Sequence, residues 1–208
     1  SSDLPKDSRA QIEIYEFVKT LVSDVVLSDR SVIAPKELDI YVPSHKFAIE
    51  YDGLYWHSEL VVQDDHATKK LAACDEAGIR MFRVFEDEWR DKQSLVKEMI
   101  KHRLGMHSNV IGARSCVVRQ ISVKQRREFV NSNHLDGDVN ASVAWGLFSK
   151  KGELVGVLSL RNNVFDKVKN RYELARFCTL ASASVPGALS KFMPFVLQWC
   201  HEKDRKST

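Results

Sequence analysis

Asp39, Glu50 and Asp52 are spaced so that a short hairpin would bring their carboxylates together. Residues 37–42 (ELDIYV) and 46–51 (KFAIEY) alternate in polarity and read as two strands joined at Pro43-Ser44. Strand alternation puts Glu50 and Asp52 on one face, and the hairpin sets that face beside Asp39. Carboxylates that converge in this way repel one another unless a cation sits among them. Mg²⁺ takes oxygen ligands and is usually held by one or two carboxylates. A metal so held can stabilise phosphoryl charge and activate water, which is what phosphodiester hydrolysis requires. Asp-x10-Glu-x-Asp is weakly specific by itself, because carboxylates at strand ends are common.

The flanking residues carry far more information. Pro35-Lys-Glu-Leu-Asp-Ile-Tyr-Val-Pro43 is followed by Glu50-Tyr-Asp-Gly-Leu-Tyr-Trp-His-Ser-Glu59, then by His66, Lys69, Cys74, Gly78 and Phe85-Glu-Asp-Glu-Trp89. Over roughly residues 9 to 104 the combination resembles very-short-patch-repair nucleases and the phage homing endonucleases related to them, of the PD-(D/E)XK superfamily and the EDxHD type. The resemblance implies that Asp39 binds the catalytic metal together with Glu50. Glu50 and Asp52 stand at the Glu and Lys positions of the ExK element, so Asp replaces Lys and the basic role must move elsewhere. His57 matches the catalytic His, whose near-neutral imidazole can take a proton from water. His66 stands where relatives carry His or Asp, as a metal ligand or water-orienting group. Lys69 would contact the scissile phosphate. Tyr55 and Trp56 fall where very-short-patch nucleases wedge aromatics between base steps, which kinks DNA. Relatives also carry a Glu early in the first helix; that position falls on Gln11 here, with Glu13 the nearby alternative.

These residues need elements to position them. Residues 9–22 have apolar residues at helical spacing. Asp52-Gly53 makes a tight turn. A helix over 66–77 stops at Gly78, a buried strand covers 79–85, and a helix over 91–104 ends at Gly105. Residues 105–112 lack periodicity, which places a domain boundary between 1–107 and 108–208. The second part reads as a strand over 115–121, a helix over 123–132, a hairpin of 142–148 with 154–160, a strand over 172–178 and a helix over 188–200.

Charge divides along the same line. Residues 1–107 carry 15 Lys+Arg against 20 Asp+Glu, a net of −5, and residues 108–208 carry 16 against 8, a net of +8. A basic half suits a polyanion, beside an acidic half that holds metal. Arg114, Arg119, Lys124, Arg126 and Arg127 form one basic group, and Arg161, Lys167, Lys169 and Arg171 a second in an Asn-containing loop. Both are candidate contacts to phosphates and bases. Ala113-Arg-Ser-Cys116, Asn133-His-Leu-Asp-Gly137, Glu153-Leu-Val-Gly156 and Glu173-Leu-Ala-Arg-Phe-Cys178 resemble the domain that follows the nuclease in some phage homing endonucleases, itself similar to acetyltransferase-like and Mom-like folds. The loop Ser184-Val-Pro-Gly-Ala-Leu-Ser190 reads as a strand-to-helix turn rather than a phosphate cradle.

Hydrophobic content of 44% and charged content of 28% are those of an ordinary globular protein. No apolar run is long enough to span a membrane. Cys74, Cys116, Cys178 and Cys200 are far apart, without CxxC spacing, as suits reduced thiols in a cytoplasmic setting; the resemblance to phage enzymes implies that of a bacterial host cell. The sequence thus predicts an α/β chain: a PD-(D/E)XK restriction-endonuclease-like core, with a mixed sheet flanked by helices, then a smaller α/β domain of acetyltransferase-like character. The function expected from the resemblance is site-specific, Mg²⁺- or Mn²⁺-dependent cleavage of double-stranded DNA, of the phage homing type. A mismatch-repair or restriction nuclease is the alternative enzyme. Gln11 and Asp52 also keep open a DNA-binding protein with an inactive nuclease core. Oligomeric state is left open.

Overall fold

Apolar residues at helical spacing form α1 (Ser8–Lys19), which buries Ile14 and Val18 completely. The computed structural model describes residues 8–53, 63–106, 109–163 and 171–205. These divide between two compact units, Ser1–Met106 and His107–Thr208. Among the described residues the chain is mixed α/β, with two sheets and five helices.

In the first unit α1 is followed by β1 (Val26–Asp29), β2 (Leu38–Val42), β3 (Phe47–Asp52), α2 (Gln63–Glu76), β4 (Arg80–Phe85) and α3 (Glu86–Arg103). The sheet order is β1-β2-β3-β4; β1, β2 and β3 pair antiparallel, and β4 runs parallel to β3. A parallel partner needs a crossover, and α2 supplies it. The sheet is covered on both faces. Tyr41 and Ala48, which face each other across the β2–β3 ladder, pack with Cys74 of α2 and with Ile79. Alternation turns Ile40, Ile49 and Val84 to the other face, where α1 contacts β2 and α3 contacts β3 and β4. Double coverage explains why β2 and β3 are almost continuously buried rather than half-exposed.

Two elements depart from the sequence expectation. Strand β1 was not expected, since VLSD carries no apolar alternation and Ser28 has a positive φ of 55°. Helix α3 begins at Glu86, five residues before the predicted 91. The acidic first turn Glu86-Asp87-Glu88 suits a helix N-terminus, and the Glu88 carboxylate accepts the Phe85 N–H at 3.0 Å. The helix carries a break at Lys92, where φ is −133°, so the predicted start near 91 marks the break.

In the second unit a four-stranded antiparallel sheet has the order β5-β6-β7-β8, formed by β5 (Val117–Gln120), β6 (Val143–Phe148), β7 (Leu154–Asn162) and β8 (Tyr172–Thr179). Helix α4 (Val123–Asn133) covers one face through Phe129 and Val130, against Val157 and Cys178. Helix α5 (Ala188–Arg205) covers the other through Ala188 and Phe192, against Trp145, Leu147 and Leu158. A capping box starts α4, in which Ser122 accepts the Gln125 N–H and the Gln125 side chain accepts the Ser122 N–H. The Ser184–Ser190 segment is a strand-to-helix turn, and Ser184 pairs in parallel with Val110. All four cysteines are free thiols, and Cys74, Cys116 and Cys178 are buried.

Arg126 is a correction to the sequence reading, which places it on a DNA-facing surface. It lies on the inner side of α4, and its guanidinium makes two hydrogen bonds to the Asp138 carboxylate, at 2.8 and 2.9 Å. Both side chains are buried, at 4% and 7% exposure. The Asp138 N–H in turn donates to Asn131 Oδ1 at 2.8 Å, so the pair ties α4 to the loop that follows it. Removing one partner leaves a buried charge unpaired, so Arg126→Ala should destabilise the second unit by about 3–5 kcal/mol. Arg127→Ala, at a side chain that is 62% exposed and 3.9 Å from the same Asp138, should cost no more than about 1 kcal/mol. Denaturant unfolding of the full chain measures both; equal, small effects would mean that the buried pair is not holding α4.

Candidate active site

The β2–β3 ladder runs from Val42–Phe47 to Ile40–Ile49. One step further, side chains take over from backbone pairing. Glu50 Oε1 accepts the Asp39 N–H at 3.2 Å, and Asp39 Oδ2 accepts the Tyr51 N–H at 2.9 Å. Each carboxylate is thereby locked to the opposite strand, and the two are held side by side. Gln11 reaches this point from α1 and donates through Nε2 to the Asp39 carbonyl at 3.4 Å.

The helix face opposite them is dictated by packing. Cys74 is fully buried against Ala48. Lys70 is one turn earlier on the same helix face, and Glu50 is two residues beyond Ala48 on the same strand face. The ammonium of Lys70 therefore meets the carboxylate of Glu50, with its Nζ bonded to Oε2 and 4.0 Å from Asp39 Oδ1. Side-chain exposure is 22% for Lys70, 22% for Asp39 and 9% for Glu50.

Burial and proximity disfavour the charged forms. Burial, then the charge of Asp39, pushes the Glu50 carboxyl up to about 7. Asp39 is raised by burial, against the opposing effects of the Tyr51 N–H and the Lys70 charge. Two oxygen donors that hold each other's charge in check are a fitting ligand pair for a hard divalent cation, whose charge would relieve both.

The third predicted carboxylate has another partner. Asp52 shares the strand face of Glu50, but its Oδ2 accepts from Arg83 Nε at 2.8 Å. The parallel register sets Asp52 against Phe85 and Glu50 against Arg83, so β4 delivers this guanidinium from the neighbouring strand. The sequence expectation of three converging carboxylates is corrected to two and an ammonium. Among the described residues no group of three or more His, Cys, Asp or Glu side chains is placed to hold a metal.

On helix α1, Gln11 and Glu13 have different partners. Gln11 is the residue at Asp39. Glu13 Oε2 accepts from Trp89 Nε1 at 3.1 Å, fastening α1 to α3. Lys69 is on the exposed side of α2 and Lys70 on the inner side, so the residue that sequence reasoning missed is the neighbour of the one it named. The four-residue spacing from buried Cys74 was the available signal. Tyr55, Trp56 and His57 lie outside the described residues. His66 occupies α2 one turn before Lys70, with its side chain outside the described set.

Of the basic residues in the second unit, Arg114, Arg119, Lys124 and Arg127 are exposed. Arg119 lies 5.7 Å from the centre of the Phe148 ring, and Lys124 is 3.9 Å from Glu128. Arg161 is half-buried and paired with Glu173, which removes it from the expected basic group. Arg171 is exposed just before β8, and its carbonyl accepts the Asn163 N–H at 2.9 Å. Lys167 and Lys169 lie outside the described residues. Comparison of the chain with family models, with curated proteins and with solved structures gives no match.

The raised Glu50 carboxyl has a defined effect on stability. From the ordinary 4.5 up to about 7 the folded protein keeps a proton that the unfolded chain releases. Unfolding free energy therefore falls as pH rises through that window, the reverse of the usual carboxylate case. Without added metal, Glu50→Gln should gain thermal stability relative to the unsubstituted protein as pH rises across it. Melting curves of the two proteins at both ends of the window check this; a constant difference would mean that Glu50 titrates as an exposed carboxylate does.

Proposed function

We propose that the first unit is a metal-dependent DNA endonuclease domain of the PD-(D/E)XK type, acting at specific sites in the manner of the very-short-patch-repair-like homing enzymes. The observation that carries this reading is the pairing of Asp39 and Glu50 on adjacent strands, with Lys70 against both. It is supported by a mixed sheet flanked by helices, the frame that the sequence resemblance implies. Asp39 and Glu50 would hold Mg²⁺ or Mn²⁺, which when bound supplies Lewis-acid stabilisation of phosphoryl charge and acidifies water.

The chain's own residues do the rest. The Tyr51 N–H and the backbone amide of Asp39 fix the two carboxylates, and Gln11 steadies the strand at Asp39. Lys70 provides the cation that Asp52 cannot, since Asp52 is itself an acid already paired with Arg83. His57, by the resemblance, takes the proton from the attacking water. The exposed Arg114, Arg119, Lys124 and Arg127 of the +8 half bind backbone phosphates of double-stranded DNA. A second reading, a DNA-binding protein with an inactive nuclease core, is favoured by Gln11 at the expected Glu position and by Asp52 at the Lys position.

Plasmid cleavage with Mg²⁺, with Mn²⁺ and with chelator decides between them. The enzyme cuts only with metal, Asp39→Asn abolishes cutting while DNA binding persists, and His57→Ala slows it by about 10²–10⁴-fold. Binding without cleavage under every metal condition would establish the inactive core. The phosphate-binding residues have their own test. Arg114→Glu and Arg119→Glu should weaken binding equally across DNA sequences. Each should also make the salt dependence shallower, by about 0.9 in log–log slope for every phosphate no longer neutralised. An unchanged slope would remove these residues from the interface.

A further inference from the structure

Asp39 and Glu50 together present four carboxylate oxygens, and the structure divides them evenly. Asp39 Oδ2 accepts the Tyr51 N–H and Glu50 Oε1 accepts the Asp39 N–H. The remaining two, Asp39 Oδ1 and Glu50 Oε2, are the two against which Lys70 Nζ lies. A divalent cation shared by this pair has its most direct approach at these same oxygens, at about 2.0–2.1 Å for Mg²⁺, since each of the other two already accepts a backbone N–H. The ammonium and the metal therefore compete for one position.

We infer that Lys70 is a displaceable counter-ion built into the site, which holds the carboxylates together until a divalent cation expels it. This rests on the reading of Asp39 and Glu50 as metal ligands, and it adds how that site is loaded. Cys74, fully buried one turn along α2, keeps the helix in place, so expulsion is a swing of the Lys70 side chain alone. The swing takes the ammonium from between the carboxylates towards the solvent side of the site. Its favoured partner there is an anion brought by the substrate, a phosphodiester oxygen. Loading with metal would thus deliver the cation that the ExK element lacks at Asp52. Lys70 would serve first the empty site and then the bound backbone.

The test uses the full chain and Mn²⁺ alone, followed by electron paramagnetic resonance of free Mn²⁺. Lys70→Gln should bind Mn²⁺ about 10- to 100-fold more tightly than the unsubstituted protein, the worth of one hydrogen bond between charged groups. Lys70→Arg, which keeps the charge, should show no such gain. In the unsubstituted protein, acetylation of Lys70 followed by mass spectrometry should rise when Mn²⁺ is added. Equal or weaker Mn²⁺ binding by Lys70→Gln, or acetylation indifferent to Mn²⁺, would overturn the inference by making Lys70 a permanent structural counter-ion. Metal-dependent plasmid cleavage alongside either result would leave the nuclease reading standing without it. Absence of Mn²⁺ binding in every form would overturn both.

Discussion

Two carboxylates held side by side at the end of a ladder repel each other, and burial deprives them of the water that would screen that repulsion. Asp39 and Glu50 are in this position, and most of the first unit can be read as the means of keeping them there. Backbone amides take one oxygen of each, and Lys70 lies against the other. The amides are available because β2 and β3 stop pairing one step earlier, at Ile40 and Ile49. The ammonium is available because α2 is anchored through Cys74. The parallel strand β4 adds Arg83, which binds Asp52 and spares the pair a third uncompensated charge. Each acid of the cluster thus depends on an amide or a cation supplied by another element.

The helix that covers the opposite face follows the same logic of partners. An acid on α1 could serve the carboxylate site or brace the fold. Glu13 does the second, accepting from the indole of buried Trp89. What α1 offers Asp39 is the neutral amide of Gln11. A neutral donor adds no fourth negative charge to a region that already holds Asp39, Glu50 and Asp52. The cation that faces the two carboxylates comes instead from α2, as Lys70.

In the second unit, counting charges overstates the surface available to a polyanion. Of its 16 Lys+Arg, Arg126 is buried against Asp138 and Arg161 is paired with Glu173; these two acids are already subtracted, so the net stays +8 while two cations leave the surface. An arginine enclosed in this way contributes to rigidity, because its two hydrogen bonds fix the loop after α4. Of the two basic groups, Arg114, Arg119, Lys124, Arg127 and Arg171 remain exposed among the described residues. Electrostatic arguments for binding therefore belong with these side chains rather than with the total.

The sequence by itself determined the features that depend on near neighbours along the chain. Alternation revealed β2 and β3, helical spacing revealed α1 and α4, and the strand face shared by Glu50 and Asp52 followed from a period of two. Asp39 and Glu50 were legible as a pair because one short hairpin joins them. Strand β1 was not legible, since an exposed edge of four residues leaves no polarity pattern. The start of α3 was obscured because its acidic first turn reads equally well as a strand-end run. Ion-pair partners were decided only by tertiary structure: Lys70 with Glu50 at a separation of 20, Arg83 with Asp52 at 31, Arg126 with Asp138 at 12. Lys69 and Lys70 are chemically alike, and a helix turns by a fraction of its circumference between them. Which of the two faces the carboxylates depends on how α2 is rotated, and that rotation is set by the burial of Cys74 against a strand more than twenty residues away in the chain.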